Sequence, residues 1–231
     1  MVKRSKRYEL AASQVDQNKI YEAGEALKVI KNLPAAKFDE TVEIAVRLGI
    51  DPKKTDQLVR GAVSLPKGLG KTVKVIVFAE GEKADAARAE GADVVGSGDL
   101  ADKILGGWMD FDIVIASPDM MKHVGKLGKV LGPQGKMPSP KSGTVTADVG
   151  SAVKEFKAGK VEFRTDAGGN IHAPLGKRSF AVEDLQANLK VFLDHISGMR
   201  PAAVKGEFLR KISISTTMGP GLAITWEVTH A

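Results

Sequence analysis

Residues 73–78 (Val-Lys-Val-Ile-Val-Phe) and 113–116 (Ile-Val-Ile-Ala) are short, almost unbroken apolar runs in the middle of the chain. A strand that is apolar on both faces must be covered on both faces. Such strands belong to parallel sheets sandwiched between helices. The intervening sequence supplies the helices. Residues 82–90 are Ala-rich and helical in pattern, 93–95 read as a further strand, 99–105 as a helix, and Asp119 opens another. Residues 71–157 are therefore predicted to form a Rossmann-like α/β block of three layers.

The texture on either side is different. Glu40-Thr-Val-Glu-Ile-Ala-Val-Arg-Leu48 alternates polar and apolar residues, the pattern of a half-buried strand. A helix is predicted over 20–33, ended by Pro34, and a second strand over 59–65. The Gly/Pro-rich stretch 64–71 reads as a linker. Beyond Ala158-Gly-Lys160, residues 161–165 and 170–172 flank Asp166-Ala-Gly-Gly169, a hairpin signal. An amphipathic helix follows over 182–196. Alternating strands over 207–217 and 222–228 are joined across Met218-Gly-Pro-Gly221. The expected fold is a split α+β domain, residues 1–70 plus 158–231, with the α/β domain 71–157 inserted into it. The basic arm 1–8 is expected to be mobile in the isolated protein.

Composition narrows the function. No apolar run reaches bilayer length, and the basic N-terminus lacks the apolar stretch of a secretory signal. Cysteine is absent, which removes disulfides and Cys-ligated zinc. Lysine and arginine total 34 against 28 acids, a net charge of +6 that favours a polyanionic partner. Aromatics make up only 5%. That is few for a binder that stacks base after base, and structured RNA read through backbone and shape fits better.

The stretch 121–138 concentrates the charge. It holds four glycines, four lysines, two prolines and a histidine, with no acid. Such a stretch is expected to build little core. It reads either as a solvated loop or as a polyanion contact. Gly68-Leu-Gly-Lys-Thr72 imitates the end of a phosphate-binding loop. However, Leu65 stands where the first glycine is needed, and a strand follows instead of a helix. Ala79-Glu-Gly-Glu82 puts acids where a dinucleotide pyrophosphate would sit. No cofactor is expected, and a nucleotide-dependent enzyme is the weaker alternative. His123, His172, His195 and His230 are scattered, with no metal-ligand spacing. His195 reads as structural; His172, in a glycine-flanked hairpin arm, is either a strand residue of that arm or a phosphate contact. Thr216, Thr217, Met218 and Gly219 read equally well as a strand end with its turn, or as hydroxyls and open backbone beside a sugar-phosphate chain. Phe38, between Lys37 and Asp39, is either core or contact.

Several stretches together resolve these pairs. Ala36-Lys-Phe-Asp-Glu-Thr41, Leu48-Gly-Ile-Asp-Pro52, Val59-Arg-Gly-Ala-Val-Ser-Leu-Pro66 and Gly68-Leu-Gly-Lys71 come first, then the 121–138 stretch. Asn170-Ile-His-Ala-Pro-Leu-Gly-Lys177 and Ser215-Thr-Thr-Met-Gly-Pro220 complete the set. In this order they closely resemble the universal large-subunit ribosomal protein family that forms the mobile stalk beside the tRNA exit site, in its bacterial type. The resemblance implies two domains on a two-strand hinge, no enzymatic activity, and a cytoplasmic monomer within the ribosome. It implies rRNA contact at Lys37, Phe38, Thr41, His172, Thr216, Thr217, Met218 and Gly219. It also implies that Lys126, Lys129, Lys136 and Lys141 lie toward deacylated E-site tRNA, and that the protein represses its own operon mRNA. A general RNA chaperone is the other alternative.

Overall fold

The computed structural model describes residues 4–226. In chain order its elements are α1 (Lys6–Ser13), α2 (Ala23–Asn32), β1 (Thr41–Leu48), β2 (Arg60–Ser64), β3 (Val75–Phe78), α3 (Glu82–Ala89), β4 (Val94–Gly96), α4 (Gly98–Leu105) and β5 (Ile113–Ala116). There follow α5 (Met121–Val124), α6 (Gly128–Leu131), α7 (Val149–Ala158), β6 (Lys160–Arg164), β7 (Asn170–Lys177), α8 (Val182–Gly198), β8 (Leu209–Thr216) and β9 (Leu222–Ile224). Short 3-10 turns cover Pro118–Met120, Gly125–Leu127 and Pro140–Ser142. This is a mixed α/β chain with several sheets. It divides into two units, residues 1–70 with 161–231, and residues 71–160.

The first unit is organised by β1. Antiparallel partners flank it on both sides, in the order β7-β1-β8-β9. Its alternation puts Val42, Ile44, Val46 and Leu48 on the buried face. There they meet Ile171, Ala173 and Leu175 of β7, Ile212 and Ile214 of β8, and the apolar stripes of α2 and α8. Each large side chain so buried contributes about 1.5–3 kcal/mol of transfer free energy. α2 stops at Asn32 because Leu33 is extended ahead of Pro34. β2 and β6 form a separate two-stranded sheet in the same core. Phe163 of β6 meets Phe192 edge-on at 5.6 Å and His195 at 5.9 Å. His195 is otherwise exposed, and partial desolvation there pushes its pKa down.

In the second unit β3 is buried along its whole length between parallel neighbours, in the order β4-β3-β5. Val75 and Val77 face a core with Ala84 and Ala87 of α3 and Val153 and Phe156 of α7. Ile76 and Phe78 face the opposite core, with Leu100 and Ile104 of α4, Val124, Leu127 and Leu131. α7 is bounded by the Asp148 carboxylate, which accepts from the Ser151 amide (3.1 Å), and by Gly159 at φ 116°.

Several sequence expectations change. The stretch 121–138 does build core: Val124, Leu127 and Leu131 are fully buried on successive helical turns. Their spacing is that of one helix face, and glycine lowers helix propensity without forbidding a helix. The arm expected to be mobile begins α1 at Lys6, whose N-cap Ser5 accepts from the Tyr8 amide; residues 1–3 lie outside the described residues. The hairpin expected across 166–169 is a turn joining two sheets. β6 pairs with β2 and β7 with β1, and the two arms meet at the bridge Thr165–Ile171 and at the Asp166 amide, which donates to the Asn170 carbonyl (2.8 Å). The carboxylate of Asp166 holds that turn by accepting from the amides of Gly168 (2.8 Å) and Asn170 (2.7 Å). Of the strand expected over 222–228, Leu222–Ile224 is formed; residues 227 and 228, like His230, lie outside the described residues.

Candidate nucleic-acid interface

The same alternation that buries Val42, Ile44, Val46 and Leu48 carries one step back to Glu40 and buries an acid. Glu40 is 0% exposed. Its Oε1 accepts from the Ala36 amide (2.7 Å) and its Oε2 from the Met218 amide (3.2 Å), a residue 178 positions away. Arg7 of α1 and Arg178, just after β7, each bring a guanidinium nitrogen to 3.7 Å from Oε1. Burial alone would raise the Glu40 pKa. Hydrogen bonds from the Thr216 hydroxyl and the Ala36 and Met218 amides, with the Arg7 charge, outweigh it and hold the carboxyl below its ordinary value.

Around this carboxylate the ends of β1 and β8 are stitched together. The Thr41 amide donates to Thr217 Oγ1 (3.0 Å), and the Thr217 amide donates to the Thr41 carbonyl (3.0 Å). Arg7 reaches over to the carbonyls of Met218 (2.9 Å) and Pro34 (3.1 Å). Lys177 Nζ donates to Thr41 Oγ1 (3.1 Å) and the Asp39 carbonyl (3.3 Å). Ser179 donates its hydroxyl to Asp39 Oδ2 (2.7 Å).

The rim that results carries two large apolar side chains pointing into solvent, Phe38 at 55% and Met218 at 51% exposure. Lys37 and Thr217 are exposed beside them. Exposed aromatic, thioether, hydroxyl and ammonium groups on one rim suit a sugar-phosphate chain: the cation meets phosphate, and the apolar groups meet sugar or base faces.

The remaining sequence candidates divide. Thr216 is 5% exposed and spends its hydroxyl on Glu40, so it supports the rim from beneath. Gly219 lies in the turn, its amide donating to the Thr216 carbonyl (3.1 Å). A Cβ there would stand 2.3 Å from Thr216 Oγ1, so any side chain at this position would displace the Thr216 hydroxyl. His172 lies elsewhere. It pairs with Ala45, four residues along β1 from Thr41, or about 13 Å away at normal strand rise. Its side chain is 63% exposed, 3.6 Å from Asp166. In the second unit Lys126, Lys129 and Lys141 are exposed, whereas Lys136 lies over the Phe111 ring at 4.8 Å and donates to the Phe111 carbonyl. Glu40, Arg7, Arg178 and Lys177 were not singled out in the sequence. For Glu40 the signal was its phase, in step with four buried residues.

Among the described residues, no group of three or more His, Asp or Glu is placed to hold a metal ion, and no helix is long and apolar enough to cross a membrane. The crevice at the carboxyl ends of β3 and β5 is lined by Glu80, Glu82, Asp119 and Lys83, and Lys83 is engaged by Asp119 at 3.0 Å, which leaves two acids facing any nucleotide phosphate.

The chain belongs to the Ribosomal protein L1p/L10e family, whose model matches residues 28–220. It is similar to the Large ribosomal subunit protein uL1 of Bordetella pertussis, at 59% identity over 224 residues and 97% of each chain. The proteins of the same name from Azoarcus sp. and Kosmotoga olearia are 55% and 54% identical, with the same coverage. Membership makes it a ribosomal protein with a structural, non-enzymatic role in translation.

Proposed function

We propose that this protein binds large-subunit rRNA and forms the mobile stalk beside the tRNA exit site of the bacterial cytoplasmic ribosome. The observation that carries the reading is the rim itself. Phe38 and Met218 are exposed, come from opposite ends of the chain, and share one hydrogen-bonded platform with Lys37, Thr41 and Thr217. Thr216 and Gly219 shape that platform, and His172 adds a contact farther along the sheet. The first unit acts as a split α+β domain that holds the rRNA; the second, of Rossmann-like parallel-sheet type, acts as an insert. Lys126, Lys129 and Lys141, with Lys136 partly engaged by Phe111, face departing deacylated tRNA. A folded segment of the protein's own operon mRNA, offering the same shape, is the second RNA ligand and the basis of translational repression.

The test is titration of the purified chain with an rRNA stalk transcript and with a scrambled transcript of equal length. Tight binding to the first alone is expected. Met218→Asp sets a carboxylate against phosphates and should weaken that binding at least tenfold, or about 1.4 kcal/mol. Equal affinity for both transcripts would instead make the protein a general RNA chaperone.

A further inference from the structure

Four separate chain segments converge on the Glu40 carboxylate: α1 through Arg7, the 34–41 segment, Arg178, and the 216–218 turn. Both arginines also hold backbone carbonyls there. Arg7 donates to Pro34 and Met218, and Arg178 to Lys31 and Leu33. A buried ion cluster of this kind is seldom the most stabilising filling for a core. The two arginines cancel the acid's repulsion for a phosphate-bearing ligand. The remaining cost is offset if the cluster fixes geometry. Loops that must be ordered on binding lose affinity, and loops already ordered do not.

We propose that Glu40, acting with Arg7, is the positioning device of the RNA surface. Its buried carboxylate holds the segments bearing Phe38 and Met218 in one preformed arrangement and touches no RNA. The inference rests on reading that rim as the rRNA surface. Its chemistry is specific: two amides from different segments donate to the two different carboxylate oxygens. A glutamine offers only one acceptor oxygen and turns an amino group on the other amide. At Arg7, lysine keeps the charge but cannot reach the Pro34 and Met218 carbonyls with two nitrogens at once.

The test uses the full-length protein and the stalk transcript, with the dissociation constant measured over a series of KCl concentrations. Glu40→Gln and Arg7→Lys are each expected to weaken binding by about tenfold. The salt slope should stay unchanged, because no phosphate contact is lost. Amide exchange at Met218 and Gly219 in the free protein should accelerate. Lys37→Gln serves as the contrast, with the slope falling by about one. If Glu40→Gln fails to fold, Arg7→Lys decides alone. Folded variants that bind within about twofold of the parent, while Phe38→Ala binds weakly, overturn the positioning role and leave the rim intact. A reduced salt slope in Arg7→Lys also overturns it, since Arg7 would then be a phosphate contact. Parental affinity in Phe38→Ala removes the rim as an RNA surface, and the inference with it.

Discussion

At Glu40 the direction of the pKa shift dictates how stability responds to acid. The carboxyl titrates below its ordinary value in the folded chain, so its contribution is complete above the unfolded glutamate pKa of about 4.3 and is lost as pH falls through the folded value. Asp93 behaves alike: burial would raise it, but the Val75 amide and Lys157 bring it down. Urea midpoints should therefore change little between pH 7 and 5 and drop below pH 4.3 or so. Glu40→Gln should show a shallower drop over that interval; an identical slope would mean the carboxylate carries no net stabilisation. Asn188 is a further buried polar residue with a defined task. Its Oδ1 accepts from the Lys67 amide (3.0 Å), and its Nδ2 donates to the carbonyls of Gly68 (3.0 Å) and Leu175 (2.7 Å). Asn188→Leu keeps the volume and orphans all three. A loss of about 3 kcal/mol or more is expected in chemical denaturation, and Asn188→Asp, which keeps the acceptor but sets a second oxygen against the Gly68 and Leu175 carbonyls in a buried site, should recover none of it.

Among elements, the run 121–131 separates what a sequence shows from what it hides. Leu127 is fully buried, although two residues on each side of it include Gly125, Lys126, Gly128 and Lys129. Leu127→Ala should destabilise the second unit by about 2–5 kcal/mol. Lys129→Gln, on the exposed side of the same turns, should stay within about 0.5 kcal/mol; comparable effects would show that the buried stripe is not what holds these turns. Composition drew attention to the glycines and lysines, and the helical spacing of Val124, Leu127 and Leu131 passed unread. Strands were more legible. The alternation of β1 and the unbroken apolar character of β3 each encode which faces are covered. The turn at 166–169 was legible as a turn, yet nothing local could say that its two arms pair with strands about 100 residues or more away. The exposure of Phe38 was hidden for a similar reason: it depends on contacts between residues near 40 and residues near 217, which no window of the sequence contains.

For the whole molecule, the division into two units assigns the four lysines and the rim to different units. Lys126, Lys129, Lys136 and Lys141 all fall in residues 71–160, whereas the rim belongs to the other unit. Replacing the four by glutamine should leave stalk-transcript affinity within about threefold, under about 1 kcal/mol, and slow tRNA release from reconstituted ribosomes. A large loss of transcript affinity with normal tRNA release would exchange the roles of the two units. The position of β1 has a further consequence, for the time before the protein reaches a ribosome as a component. Both strands that flank β1 are encoded far downstream, with Thr41 opposite Lys177 and Val42 opposite Thr216. While the chain is being made, β1 leaves the tunnel with two bare edges and waits on the order of 10 s for its neighbours, at ordinary elongation rates. The unit 71–160 is continuous in sequence and can close during that interval. Synthesis thus delivers a finished insert on an unfinished host, and the nascent chain is at its most vulnerable to edge-to-edge association just before β7 and β8 emerge.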